Sequence, residues 1–111
     1  MLQLNFALLA TLRQEDISVT FLSKDARQLE GARYFGIDLA KRETQLAVLD
    51  ADGVQISQKR FATKRDEFLS LAGELREGDT VALEVTTNST SIARLIRDNS
   101  NGARIIVSNP I

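Results

Sequence analysis

The chain has 111 residues, of which 43% are apolar and 26% charged, and its formal net charge is −1. This composition is typical of a soluble globular domain, and the near-neutral charge excludes a protein that binds nucleic acid through overall basic character. Cysteine and histidine are both absent, which excludes disulfides, Ser-His-Asp catalysis and the usual ligands of transition metals. Carboxylate oxygens remain as metal ligands, and these favour magnesium or manganese.

The N-terminal segment, residues 1–33, carries no sharp motif. Its apolar run "FALLATL" lacks the basic region and cleavage site of a secretory signal and is too short to span a bilayer. We therefore expect a cytoplasmic protein without a membrane partner.

Three local patterns occur within that segment. The first is a helical face, formed by Leu2, Phe6, Leu9 and Leu12. The second is an alternation typical of a strand, at Ile17, Val19 and Phe21. The third is a short helix in "SKDARQLEGA", which Ser23 caps and Gly31 ends. Residues 1–33 are either a packing element or a dimerisation arm, and the sequence leaves both interpretations open.

Three antiparallel strands are predicted next. In "YFGIDLA" the apolar residues alternate with the others, so Asp38 lies on the face opposite to Ile37. "TQLAVLD" is the second strand, and "ADG" supplies a hairpin turn. "VQISQKRF" is the third strand, with Val54 and Ile56 on one face.

The remainder alternates between helices and strands. Thr63 is the predicted N-cap of a helix that ends at Gly78. The apolar stripe of this helix is Phe68, Leu71, Ala72 and Leu75. "TVALE" follows as a strand ending at Glu84, then a helix "STSIARLIRD" that packs through Ile92, Leu95 and Ile96, and a last strand "RIIVS".

This order predicts an α/β fold with a mixed five-stranded sheet. Two hairpins place the strands 3-2-1, and a right-handed crossover sets the fourth strand parallel to the first, which gives the order 3-2-1-4-5. Asp38 and Glu84 then lie near the carboxyl ends of neighbouring strands, where open α/β sheets generally bind ligands. A cation between the two carboxylates is the expected ligand.

The stretches "GIDLAK", "LDADG", "VALEVTT" and "RIIVSNP" together resemble the N-terminal half of a known domain. It is the RuvC-like domain, of ribonuclease H-type fold, of the DEDD transposases of the insertion-sequence-110 and Piv group. The resemblance covers residues 34–110, so residues 34–111 are interpreted as a partial RuvC-like domain truncated at its C-terminus.

That family cuts and rejoins DNA with magnesium held by four carboxylates, together with a serine from a separate domain and a guide RNA from the element. By resemblance, Asp38 and Glu84 match the first two carboxylates and are the implied catalytic and metal-binding residues. The other two carboxylates follow the "NP" segment in the family, beyond the residues of this sequence. With two of the four ligands, weak magnesium binding and no useful cleavage are expected of this chain. Thr87 stands where the family usually has glycine.

Nucleic-acid contacts are expected at three places. Lys41 follows Asp38, and the basic cluster "QKRFATKR" contains Lys59, Arg60, Lys64 and Arg65. Thr86 and Thr87 follow Glu84. Each has a plainer interpretation, because lysines also protect edge strands and threonines also form turns and caps. DNA, a guide RNA and a second copy of the chain are the expected partners.

Two other function classes remain open. One is a non-catalytic interaction module in which Asp38 and Glu84 are structural. The other is an ATP-binding fragment of the actin and sugar-kinase fold, which opens with a similar hairpin. The residues after Asp38, "LAKR", disfavour that second alternative, because a phosphate loop needs small residues that let backbone amides approach.

Overall fold

A computed structural model describes residues 21–84, 86 and 88–108, and in this part of the chain three helices and five strands form one α/β unit. The helices are α1 (Lys24–Gln28), α2 (Arg65–Gly73) and α3 (Ser89–Asn99). The strands are β1 (Arg33–Asp38), β2 (Glu43–Leu49), β3 (Gln55–Ala62), β4 (Asp79–Glu84) and β5 (Arg104–Ser108). The predicted helical face at Leu2–Leu12, and Ile17 and Val19 of the predicted strand, lie outside the described residues. Phe21 lies in no strand.

The sheet has the predicted order, β3-β2-β1-β4-β5. The pairs β1–β2 and β2–β3 are antiparallel, whereas β1–β4 and β4–β5 are parallel. The mixed five-stranded sheet and its order are therefore confirmed.

The core lies on one face of the sheet, and we call this the helix face. In β1 the burial alternates, so Arg33, Phe35 and Ile37 are buried while the residues between them are exposed. The predicted stripe of α2 is buried as well, with Phe68, Leu71, Ala72 and Leu75 at 0–1% exposure. Among the described residues, the opposite face has no helix on it and is called the open face.

Both ends of α2 differ from the prediction. The helix begins after Lys64, which has no side-chain cap, because the Thr63 hydroxyl donates instead to the Ala40 carbonyl oxygen at 2.8 Å. It ends at Gly73 rather than Gly78. The Asp79 carboxylate accepts a hydrogen bond from the Arg76 amide at 2.8 Å, which closes a turn where the helix was expected to continue.

Helix α1 and strand β3 also differ from the prediction, to a smaller extent. Helix α1 is capped by Ser23, whose hydroxyl accepts from the Ala26 amide at 3.2 Å, but it ends before Gly31. In β3 a register shift opposite Val48 and Leu49 breaks the alternation. Val54 precedes the strand and is 57% exposed, whereas Ile56 packs against the core.

Residues 21–32 pack on the same core as the sheet. The Phe21 ring meets Phe61 edge to face at 5.3 Å, and the Glu74 carboxylate accepts hydrogen bonds from the Phe21 and Leu22 amides. The Lys59 ammonium lies 3.4 Å from the centre of the Phe21 ring and donates to its carbonyl oxygen at 3.2 Å. This stretch is therefore attached to both α2 and β3.

A buried ion pair joins the starts of β1 and β4. Arg33 and Asp79 are 1% exposed each and make two hydrogen bonds to each other, at 2.8 and 2.6 Å. The guanidinium also donates to the carbonyl oxygens of Ala26 at 2.7 Å and Glu74 at 3.2 Å. The pair thus connects α1, the end of α2 and two strands.

Among the described residues, none of the helices combines the length and apolar character needed to cross a membrane.

Candidate carboxylate site on the open face

The candidate site is a row of polar residues across all five strands, on the open face. The register pairs Asp38 with Gln45 and Gln45 with Arg60 on one side. On the other side it pairs Ile37 with Leu83 and Glu84 with Ser108. Read across the sheet, the row is Arg60, Gln45, Asp38, Glu84 and Ser108.

The two acidic side chains are neighbours because of strand register. Asp38 ends β1 and Glu84 ends β4, and each follows one member of the Ile37–Leu83 pair. Neighbouring strands lie about 5 Å apart, and residues at the same register position project to the same face. Both residues are exposed. Within the described residues, neither carboxylate takes part in a hydrogen bond or an ion pair that the structure shows.

A depression of about 350 Å³ lies beside this pair. Small residues of the next row, Gly36, Ala47 and Ala82, line it together with Asp38 and Glu84. A Cβ atom built on Gly36 would meet nothing within 4 Å. The depression is therefore open to a ligand that approaches the sheet closely.

Magnesium fits the chemistry of this row, although only in part. Carboxylate, amide and hydroxyl oxygens are available from Asp38, Glu84, Gln45 and Ser108, and oxygen ligands suit magnesium or manganese. No group of three or more acidic residues that could hold a metal occurs in the described part of the chain. Two carboxylates alone are expected to hold a divalent ion weakly.

Three of the predicted nucleic-acid contacts lie at the same end of the sheet as Asp38. Lys41 is exposed in the turn between β1 and β2, and Lys64 and Arg65 are exposed at the start of α2. These segments are held together, since the Thr63 amide donates to the Arg42 carbonyl oxygen at 2.9 Å. The basic side chains share this end of the sheet with the exposed acidic residues Glu43 and Asp66.

Arg60 and Lys59 lie on opposite faces of β3. Arg60 pairs with Gln45, on the open face, and its side chain is 65% exposed and 3.7 Å from Glu43. Lys59 pairs with Leu46, on the helix face, where it contacts Phe21. Burial lowers the pKa of Lys59, and the charges of Glu67 and Glu74 oppose that shift. Arg60 shares the carboxylate row, and Lys59 does not.

Thr86 is hydrogen-bonded to the start of α3. The Thr86 amide donates to the Ser89 hydroxyl at 2.9 Å, and that hydroxyl donates to the Thr86 carbonyl oxygen at 3.1 Å. Ser89 is fully buried and Thr86 is exposed. The predicted contact at Thr87 lies outside the described residues.

Sequence reasoning missed Gln45 and Ser108 as neighbours of the carboxylate pair. Both positions follow from strand register, which an amino-acid pattern fixes only approximately. The opposite faces of Lys59 and Arg60 could have been predicted from the sequence, because strand alternation places Lys59 on the same face as the apolar Phe61.

Comparison with known proteins gives no assignment. No family model matches the chain, and no curated protein matches it at a significant level. The site is therefore interpreted from its own geometry.

Proposed function

We propose that this chain supplies two carboxylate ligands, Asp38 and Glu84, to a magnesium-dependent site that acts on DNA. The single observation that carries the proposal is their adjacent position at the carboxyl ends of two parallel strands, on the open face. Two like charges at neighbouring positions repel each other, so a bound cation would relieve an unfavourable arrangement.

Two further features support this proposal. A divalent ion, when bound, stabilises charge that develops on a phosphoryl oxygen and activates an attacking oxygen. Arg60 in the same row, and Lys41, Lys64 and Arg65 at the same end of the sheet, supply positive charge for phosphates. Gln45 and Ser108 would orient the carboxylates or a ligand beside them.

The resemblance to DEDD transposases gives the proposal its reaction class, which is the cutting and rejoining of DNA strands. The sheet order 3-2-1-4-5 is compatible with the ribonuclease H-type fold that this resemblance implies. With two carboxylates at the site, we expect this chain by itself to bind magnesium weakly and to leave DNA uncut.

Thermal melts test the metal site directly. Millimolar magnesium should stabilise the parent protein by less than about 1 kcal/mol, because the binding is weak. Asp38→Asn and Glu84→Gln should each abolish this stabilisation. Asp52→Asn is the control and should retain it, because Asp52 is exposed and distant in sequence from both Asp38 and Glu84. A parent protein that does not respond to magnesium or manganese would refute the metal site.

DNA binding provides a second, independent test. With a net charge of −1, binding to a generic duplex should be weak and should fade as salt rises. Arg60→Gln should weaken it further, whereas Arg97→Gln, on the exposed surface of α3, should not. Tight binding that is insensitive to salt would contradict the proposed contacts.

A further inference from the structure

Strand β5 is an edge of the sheet in the described structure, and its side chains leave that edge suited to pairing. Its sequence is Arg-Ile-Ile-Val-Ser, so its one charged side chain, Arg104, lies at the end of the strand, and the strand has no proline, lysine or bulge. Ile105 and Ile106 are half-buried, and Val107 is 37% exposed. An exposed strand edge of this composition is a template for a further strand.

The other edge, β3, is protected. It carries the register shift at Val48 and Leu49, and it contains Lys59 and Arg60. Bulges and cationic side chains are the devices that keep edge strands from pairing. The sheet is therefore asymmetric, and pairing is favoured at β5.

We propose that β5 pairs antiparallel with β5 of a second copy of this chain, about a two-fold axis at Ile106. The strand is self-complementary in this register. Ile106 faces its own equivalent on the open face, and Ile105 faces Val107 of the second copy on the helix face. Arg104 faces Ser108 of the second copy, so no like charges are opposed. The exposed fraction of Val107 is thereby covered.

The second copy is the occupant because the antiparallel register sets the apolar residues of β5 against each other and Arg104 against an uncharged serine. In an isologous interface residue i of one copy faces residue j of the other and j faces i, so a strand pairs well with itself if each such pair is compatible in charge and size. β5 meets this condition. A pairing of β3 centred on its basic residues would instead oppose Lys59 or Arg60 to its own equivalent.

The pairing also extends the carboxylate row. Register places Ser108 beside Glu84, and in the dimer Arg104 of the second copy comes next in that row. Its Cα lies two strand spacings, roughly 10 Å, from that of Glu84. The second copy thus contributes a cation beside a pair of carboxylates for which the described structure shows no ion pair.

Sedimentation over a range of concentrations tests the dimer with charge variants. Ile106→Lys and Ile106→Glu each place like charges across the axis and should weaken self-association at least tenfold. An equimolar mixture of the two should associate again, as a heterodimer. Gln58→Lys, on the same face of the other edge strand, should dimerise as the parent does.

Every outcome is informative. A parent protein that stays monomeric at millimolar concentration overturns the proposal, as does a dimer that both Ile106 variants retain. If the charged variants do not fold, Ile106→Cys serves instead, because the chain has no other cysteine. A short bismaleimide should cross-link this variant and not Gln58→Cys, and absence of the cross-link overturns the proposal.

The magnesium melts separate this inference from the proposed function. Dimerisation through β5 does not need a metal, and Ile106→Lys retains both carboxylates. A monomeric parent protein that still responds to magnesium would overturn the dimer alone.

Discussion

The strands β1 and β4 carry a charged pair at each end, and the two pairs differ in the sign of their charges, in the face on which they lie and in their exposure. At the start of the strands, Arg33 and Asp79 have opposite charge, lie on the helix face and are 1% exposed. At the other end, Asp38 and Glu84 have the same charge, lie on the open face and are exposed. The two ends are about five residues apart on the same strands.

The difference separates a structural role from a candidate functional one. A buried ion pair is tolerated only if its charges and hydrogen-bonding groups find partners, and Arg33 and Asp79 have several. Adjacent carboxylates contribute nothing to folding and slightly oppose it. The proposed metal ligand would account for their adjacent position, which the stability of the sheet does not explain.

The largest expected effect is at the buried end. Asp79→Asn replaces an oxygen that accepts from both Arg33 and the Arg76 amide, and it leaves the guanidinium charge uncompensated. We expect a loss of about 3 kcal/mol in the free energy of unfolding, measured by urea denaturation.

A matched control exists at the surface. Arg97 and Asp98 form an ion pair at 3.0 Å with both side chains about 60% exposed. Asp98→Asn should change stability by less than about 0.5 kcal/mol, because exposed pairs contribute little. Equal losses in the two variants would contradict the distinction between the buried and exposed pairs.

A second expected effect is a dependence of stability on pH, caused by Glu74, whose carbonyl oxygen accepts a hydrogen bond from Arg33. Burial raises the pKa of Glu74 from its ordinary value of 4.5 to about 6, although hydrogen bonds from the Leu22 and Phe21 amides and the charges of Arg27 and Lys59 lower it. A carboxyl with a raised pKa prefers to be protonated in the folded state. Its stabilising contribution is therefore complete below about pH 4.5 and is lost as the pH rises through 6.

Glu74→Gln isolates this contribution. Between pH 5 and pH 7 the parent protein should lose about 1 kcal/mol relative to the variant, roughly half the full value of the shift, because Glu74 is only partly buried. Urea denaturation at several pH values measures the difference. A difference that is constant with pH, or of opposite sign, would show that Glu74 does not titrate in this way.

The carboxyl-end pair could be predicted from sequence, whereas the amino-end pair was missed. Alternation in "YFGID" fixes the face of Asp38, and the hairpins and crossover fix its neighbour. Arg33 was instead assigned to the N-terminal segment, and the turn before Asp79 to a longer helix. Long-range pairs such as Arg33 with Asp79 depend on tertiary register, which local periodicity does not encode.

Helix ends were missed for a related reason. Thr63 and Gly78 are good local cap residues, but the Thr63 hydroxyl is bonded to Ala40 and the Asp79 carboxylate closes a turn at Arg76. Side chains that find tertiary partners override local capping preference.

A third expected effect is smaller and concerns the carboxylate pair. Because the described structure shows no hydrogen bond to the Asp38 carboxylate, Asp38→Asn removes repulsion without removing a contact. In chelator the variant should be as stable as the parent or more so, by about 0.2–1 kcal/mol. Thermal melts measure this, with Asp52→Asn as the control. A destabilised variant would show that Asp38 has a structural partner, like the residues at the other end of the strand.

The smallest expected effect lies midway along β1, at Gly36 on the open face. Glycine inside a strand is unfavourable relative to alanine, and a Cβ there would meet nothing within 4 Å. Gly36→Ala should therefore stabilise the protein by about 0.5 kcal/mol. Gly53→Ala is the control, because it also meets nothing within 4 Å but has φ +83°, so it should destabilise. Chemical denaturation of both variants measures the sign. Loss of stability in Gly36→Ala would mean that another part of the molecule covers the open face and that the carboxylate pair is not open to a ligand.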